Sequence, residues 1–401
     1  MANIREKLDN FHCGLNSLAV FRNLLNDEVI SAFSALLELH AEGKSFDVNI
    51  YSEFVSRLYR HNVNLSEYIF KLVCEDENFY ISGKSQGKAF DDIIEQAVSN
   101  ELEMLREISM LTSEELQYGY YRLYQLPQWK TADIDFTAEY RNRIENIGVY
   151  GCGIFANSTM FILRSGEIVP VKAPDTQQLD MLFGYERERA EVVENTLALV
   201  KGKTAQNTLL YGDAGTGKSS TVKAVVNKFA HKGLRLVEIT KEQLRELPEL
   251  IDKLSGNPLK FIIFIDDLTF TSGENCFGAL KAALEGSVST RSDNIAIYAT
   301  SNRRHLVKES FSDREGDDVH RNDTMQELLS LSARFGLRVN FSRPDKKNYT
   351  AIALELARVH GIDMPEDEIA LKAEQFAISS GNGRSPRTAR QFINQLRIVG
   401  I

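Results

Sequence analysis

The chain has 401 residues, of which 43% are hydrophobic and 26% charged, with a formal net charge of −9. Those proportions exclude fibrous and disordered classes, and the length calls for two or three domains, because one hydrophobic core stops growing below this size. A sequence pI near 5.5 makes the molecule as a whole repel a phosphate backbone, so nucleic acid stays possible only through a local basic channel and is not favoured.

No leader-type apolar region follows the opening MANIREK, and no apolar run approaches the ~20 residues of a membrane span. A cytoplasmic location without membrane contact is therefore expected. Cys13, Cys74, Cys152 and Cys276 are scattered without metal-ligand spacing, as expected of reduced, buried thiols.

Residues 1–125 read as a helical accessory domain. Ser17 can cap a segment with Leu18, Phe21 and Leu25 on one face, and Phe90, Ile94, Val98, Leu102 and Leu105 recur at helical spacing, both stripes facing a core. Between them "SGKSQG" (82–87) lacks the full phosphate-loop spacing and a preceding strand, and reads as a linker. The stretch "QYGYYRLYQLPQWK" (117–130) holds the only tryptophan, Trp129, and suits either aromatic packing of one domain on the next, the favoured use, or stacking on bases.

Residues 126–180 change texture to short β-type runs, with a hairpin turn at "RSG" (164–166) and a boundary marked by Pro170 and Pro174. They are taken as a small β-containing connector. Residues 181–343 then alternate. Strands at 207–212, 234–240, 261–266 and 294–301 are separated by helices from Lys218, over 241–254 and over 276–286, the pattern of an α/β fold with a parallel sheet covered by helices on both faces. Residues 344–401 form a helical lid of three helices, opened by Asp345, Pro365 and Ser385 and broken by Gly361 and Gly381.

The stretch "GDAGTGKSS" (212–220) fills GxxxxGK[ST] between an apolar strand and an amphipathic helix. Gly212, Gly215 and Gly217 let successive N–H groups of Gly212, Asp213, Ala214, Gly215, Thr216 and Gly217 line one concavity, with Lys218, Ser219 and Ser220 opening the helix behind it. Lys218 is expected on the β/γ-phosphates of ATP and the Ser219 hydroxyl on Mg²⁺. The strand "FIIFIDDL" (261–268) delivers two carboxylates to the carboxyl edge of the sheet. Asp266 would hold Mg²⁺ through water, and Asp267 would orient or deprotonate the attacking water.

With these motifs the chain resembles an AAA+ ATPase of the P-loop NTPase class, and more narrowly a bacterial family of predicted ATPases, domain of unknown function 815. The resemblance runs from "FGYERERAEVVENT" (183–196) to the last helix, and its most specific parts are "GDAGTGKSS", "FIDDLTF", "ALKAALEG", "ATSNRRHL", "LSLSARFGL" and "SPRTARQF". It implies that Asn302 is the sensor-1 residue beside the lytic water, a position a helix cap would also fit. It implies that Arg334 is the arginine finger offered to a neighbouring subunit and that Arg387, flanked by Arg384 and Arg390, is sensor 2 on the lid. It implies that Gly184 and Tyr185 touch adenine. The commonest AAA+ pattern ends its second motif in Asp-Glu, and Asp266-Asp267 departs from it by one methylene.

A nucleotide-dependent homo-oligomer, ring or arc, is the implied state. Its function would be ATP hydrolysis that remodels a macromolecule, with a protein partner met through the N-terminal domain. The alternative is a nucleotide switch with little turnover, motivated by the short Asp267 carboxylate. A small-molecule kinase would have no use for Arg334 or the lid. The segment 309–323, acidic and poor in apolar residues, reads as a loop that serves a substrate or is a solvated insertion.

Overall fold

The computed structural model describes residues 2–117, 120, 124–268, 277–285, 293–302 and 331–399. It divides into two compact units, residues 1–157 and 158–401. Among the described residues no helix is long and apolar enough to cross a membrane. The segment 309–323 lies outside the described residues, as does Cys276.

The first unit is helical, with α1 (Ala2–Ser17), α2 (Glu28–Ala41), α3 (Val48–Tyr59), α4 (Leu65–Glu75), α5 (Phe79–Ser85), α6 (Asp92–Ser109), α7 (Ser113–Leu116), α8 (Phe136–Glu145) and α9 (Ile147–Tyr150). Val98, Leu102 and Leu105 of α6 enter its core, as their spacing predicts. Ser17 does not open a helix. It ends α1, its Oγ donating back to Gly14 O at 2.8 Å, because Leu8, Phe11 and Leu15 already carry the buried stripe upstream. The turn after it is held by Glu101, whose buried carboxylate accepts the N–H groups of Ala19, Val20 and Phe21.

The 82–87 segment is not a simple linker, since α5 runs through its first four residues. The Asn78 side chain accepts from Tyr80 N and Ile81 N, and burial of those two side chains outweighs the weak helix propensity of Ser82 and Gly83. Trp129, placed by sequence in the connector, packs on the helices before it, within this unit. Its ring meets Phe54 edge-on at 5.2 Å, its Nε1 donates to Leu111 O, and the Tyr51 hydroxyl beside it donates to Pro127 O. Such a ring contributes more when its polar tip finds a partner inside the same core.

Burial pushes the Cys74 thiol up to about 11, and the Cys152 thiol likewise. Thiolate is the reactive form. Iodoacetamide at pH 8 is accordingly expected to modify the exposed Cys13 in the native protein and to spare Cys74 until the chain is unfolded, as read by peptide mass spectrometry.

The second unit carries a seven-stranded sheet of β1 (Met160–Arg164), β2 (Glu167–Pro170), β3 (Thr208–Gly212), β4 (Leu234–Ile239), β5 (Lys260–Ile265), β6 (Ile295–Ser301) and β7 (Leu337–Phe341), in the order β2-β1-β4-β5-β6-β3-β7. All neighbours are parallel except the β1–β2 hairpin, whose turn at Ser165 and Gly166 takes positive φ. The sheet is thus parallel with one antiparallel edge strand.

The residues expected to form a separate connector are divided. Those up to 157 belong to the helical unit, and β1 extends the main sheet by pairing Met160–Ile162 with Leu236–Glu238 of β4. Strand β7 was not anticipated, although Leu337, Val339 and Phe341 alternate with more polar neighbours at the period of an edge strand. The 241–254 helix is a 3-10 turn, Lys241–Glu246, followed by α12 (Leu247–Leu254), with Pro248 in its first turn.

Helices α10 (Glu186–Val200) and α11 (Lys218–Phe229) cover one sheet face, where Val192, Leu199, Val222, Val226 and Phe229 meet Ile262, Phe264 and Val339. Successive strand residues point to opposite faces, so Phe261, Ile263 and Ile265, fully buried too, fill the other side, while α12 and α13 (Phe277–Glu285) contact each other. Burying each such side chain contributes ~1.5–3 kcal/mol, which is why these strands read as continuous apolar runs. The C-terminal helices α14 (Lys346–Val359), α15 (Glu366–Ser379) and α16 (Pro386–Val399) share a small core of their own around Tyr349, Ile352, Ala373, Phe392 and Ile393, with Phe183 packed against it.

Candidate active site

Strand β6 enters the sheet between β5 and β3, so the carboxyl ends of β5, β6 and β3 lie side by side. That edge is where an open parallel sheet receives ligands. Gly212 closes β3 with φ 132°, and a Cβ built there would lie 2.3 Å from Phe341 O, so only glycine fits beside β7. Gly217, at φ 92°, opens α11 without a side-chain cap, which leaves the first-turn N–H groups for an anion. Thr216 Oγ1 donates to Asp213 O and Thr221 Oγ1 to Gly217 O, so the loop is tied at both ends.

Lys218 is 6% exposed, and its ammonium donates to Gly212 O (3.0 Å), Asp213 O (2.8 Å) and Asn302 Oδ1 (2.9 Å). Burial lowers its pKa, Asp213, Asp267 and Asp266 oppose the shift, and Arg387 adds to it. A buried ammonium compensated mainly by carbonyls is suited to receive phosphate charge. Asn302 Nδ2 donates in turn to Asp267 Oδ1 at 2.7 Å. Ser219 Oγ donates to Asp266 Oδ1 at 2.6 Å, spanning from the start of α11 to the end of β5. Asp267 itself has φ 53°.

Among the described residues no group of three or more His, Cys, Asp or Glu could hold a metal ion. Mg²⁺ on a phosphate loop needs no such cage, only one or two carboxylates, a hydroxyl and the ligand's phosphates. Ser219 and Asp266 form a hard oxygen pair of that kind, so the donor set fits magnesium.

Three arginines of the C-terminal helices separate by their partners. Arg384 is committed to Glu374 through two hydrogen bonds of 2.7 and 2.9 Å, and Arg390 reaches Gln177 and Met181. Arg387 and Arg390 both line the cavity at the phosphate loop, and the backbone N–H of Arg387 donates to Gly215 O. Gly215 permits that approach, since a Cβ there would stand 3.1 Å from Ser385 Oγ.

Gly184 and Tyr185 line the neighbouring cavity, not this one. Tyr185 donates its hydroxyl to Ser342 O, stacks near Phe341 at 5.3 Å, and has its pKa raised by burial. The part of this segment that faces Gly215–Gly217 is Met181, Leu182 and Phe183. Arg334 ends the described helical stretch 331–334 and does not line the phosphate-loop cavity.

A family model described as "Protein of unknown function (DUF815)" matches residues 156–398. The chain belongs to that family. In this DUF815 protein the glycine loop after β3, the acidic pair after β5 and the polar end of β6 lie at one edge of a parallel α/β sheet that is followed by three C-terminal helices. Among solved structures it is similar to the RuvB Holliday junction branch migration motor of Thermotoga maritima, at 15% identity and TM-score 0.36, over 55% of this chain and 64% of that one. It is similar also to the FIGL-1 AAA domain in complex with ADP, at 17% identity and TM-score 0.38, over 57% of this chain and 76% of that one. A comparison with curated protein sequences gave no match.

Two residues of this DUF815 protein's site escaped the sequence. Thr300 bonds Asp266 Oδ1, and its signal was only a β-branched hydroxyl two residues before Asn302. Arg189, 9% exposed, lines the loop cavity; burial lowers its pKa, and Glu186 at 3.3 Å opposes that shift; nothing in the sequence sets it apart from Arg187.

Proposed function

We propose that the chain is an AAA+ ATPase that binds ATP with Mg²⁺, hydrolyses it in a homo-oligomer, ring or arc, and uses the resulting motion to remodel a macromolecule. The observation that carries this reading is the chain of contacts Asp267–Asn302–Lys218 beside Asp266–Ser219 at the mouth of the glycine loop.

On this reading the N–H groups of Gly212 to Gly217 cradle the phosphates, and Ser220 and Thr221 continue the wall. Lys218 exchanges its bond to Asn302 for the β/γ-phosphate oxygens. Ser219 and, through water, Asp266 would hold Mg²⁺, which when bound would neutralise charge on those oxygens. Asp267 orients the attacking water and takes its proton, Asn302 holds the water against the γ-phosphate, and Arg387 contacts the γ-phosphate from the C-terminal helices. Arg334 supplies a permanently charged guanidinium to the site of the adjacent subunit. The 181–185 segment contacts the base, with Met181 to Phe183 nearest the loop. The first unit presents its helices to a protein partner.

A second reading, a nucleotide switch with little turnover, draws on Asp267. Its carboxylate is already held by Asn302 and is one methylene shorter than Glu. The test is the steady-state ATPase rate per protein chain against concentration. A specific rate that rises as subunits meet supports the shared-site ATPase. Tight ATP binding with a single turnover and no steady rate would replace it with the switch.

A further inference from the structure

We infer that Thr300 is a positioning residue that holds both members of the Asp266–Asp267 pair through one hydroxyl. The inference rests on the nucleotide-binding reading of the same site.

Thr300 is 2% exposed and lies near the end of β6, between β5 and β3. Its Oγ1 donates to Asp266 Oδ1 at 2.5 Å and accepts the Asp267 N–H at 2.8 Å. The carbonyl of Thr300 accepts Leu268 N at 2.7 Å, so the turn carrying both acids is wrapped around this one residue.

Ser219 Oγ and the Asp267 N–H also donate to Asp266 Oδ1, at 2.6 and 3.1 Å. With Thr300, three donors from three elements converge on a single carboxylate oxygen, which fixes the plane of the carboxyl group facing the metal side.

On the water side, Asp267 stands at φ 53°, left-handed backbone that is costly for most residues with a Cβ and that Asp adopts more readily through local hydrogen bonds. The Thr300 hydroxyl holds it at the N–H, and the Asp267 side chain then meets Asn302 Nδ2. A hydroxyl is both donor and acceptor. Valine, of nearly the same shape, is neither, and would set a methyl group against Asp266.

The test compares Thr300→Val and Thr300→Ser with the native chain. Partners of metal ligands lost by mutation cost about 10–100-fold in affinity or activity. Thr300→Val is expected to weaken Mn²⁺ binding to the ADP complex by that factor, read by electron paramagnetic resonance, and to lower kcat by a similar factor. Thr300→Ser is expected to restore both to within about threefold. Unchanged Mn²⁺ affinity in Thr300→Val, or equal loss in Val and Ser variants of native melting temperature, overturns the assignment. A native chain without turnover counts against the ATPase reading alone, because the Mn²⁺ comparison still decides the role of Thr300. If Thr300→Val does not fold, Thr300→Ala carries the same comparison.

Discussion

Arg334→Ala is expected to lower steady-state ATP turnover by about 10³-fold or more, the scale of a lost arginine finger, while nucleotide affinity stays within a few-fold of native. The asymmetry follows from placement. Arg334 does not line the cavity formed by this chain's own phosphate loop, so its removal leaves the binding groups of that chain in place. A finger acting between subunits makes a further demand. Lys218→Ala and Arg334→Ala, each inactive alone, should recover part of the native rate when mixed, because an Arg334→Ala subunit keeps an intact phosphate loop and a Lys218→Ala neighbour still offers Arg334. Mixtures that stay inactive although hetero-oligomers form, or Arg334→Ala at the native rate, would remove Arg334 from the mechanism.

Lys218→Ala should abolish the nucleotide response at its source. The ammonium makes three hydrogen bonds and is the buried cation at the centre of the loop. A charge-assisted contact is worth about 1.5–3 kcal/mol, so ATP affinity should fall by ~10- to 100-fold or more and turnover to background. Ligand at 100 times its Kd stabilises a protein by about 2.7 kcal/mol. Native protein should therefore melt several degrees higher with saturating ATP and Mg²⁺, whereas Lys218→Ala should show little or no shift at the same concentration. An undiminished shift in the variant would place nucleotide binding elsewhere in the chain. Without ligand the two proteins should melt close together, because burial already disfavours the charged form of Lys218 and its loss relieves that cost while it strands its acceptors.

The phosphate loop and the acidic pair were legible because their chemistry is local. Gly212, Gly215, Gly217, Lys218 and Ser219 act through backbone conformation and helix start within eight residues, and Asp266 and Asp267 follow directly on a strand whose apolar run marks it as central. The C-terminal helices were legible for the same reason, since Asp345, Pro365 and Ser385 stand where those helices begin. Misreadings came where local signals conflict with packing. The small residues of 82–85 are carried into α5 by the Asn78 cap and two buried neighbours. Gly184 and Tyr185 line the cavity beside the loop cavity, with the Tyr185 hydroxyl donating to Ser342 O beyond β7, a placement that no local signal of 184–185 carries.

By itself the sequence determined the family, the alternating α/β order and the identity of the groups at the phosphate loop, all set by residues close together in the chain. Only the tertiary structure decided which distant groups meet them. The insertion of β6 between β5 and β3 brings Thr300 and Asn302 against residues 34 and 84 positions away, and the start of the last helix brings the backbone N–H of Arg387 to Gly215 O while Arg384 is held by Glu374. Strand order is fixed by the burial of two apolar sheet faces at once. That depends on every strand together, and no single stretch of sequence carries it.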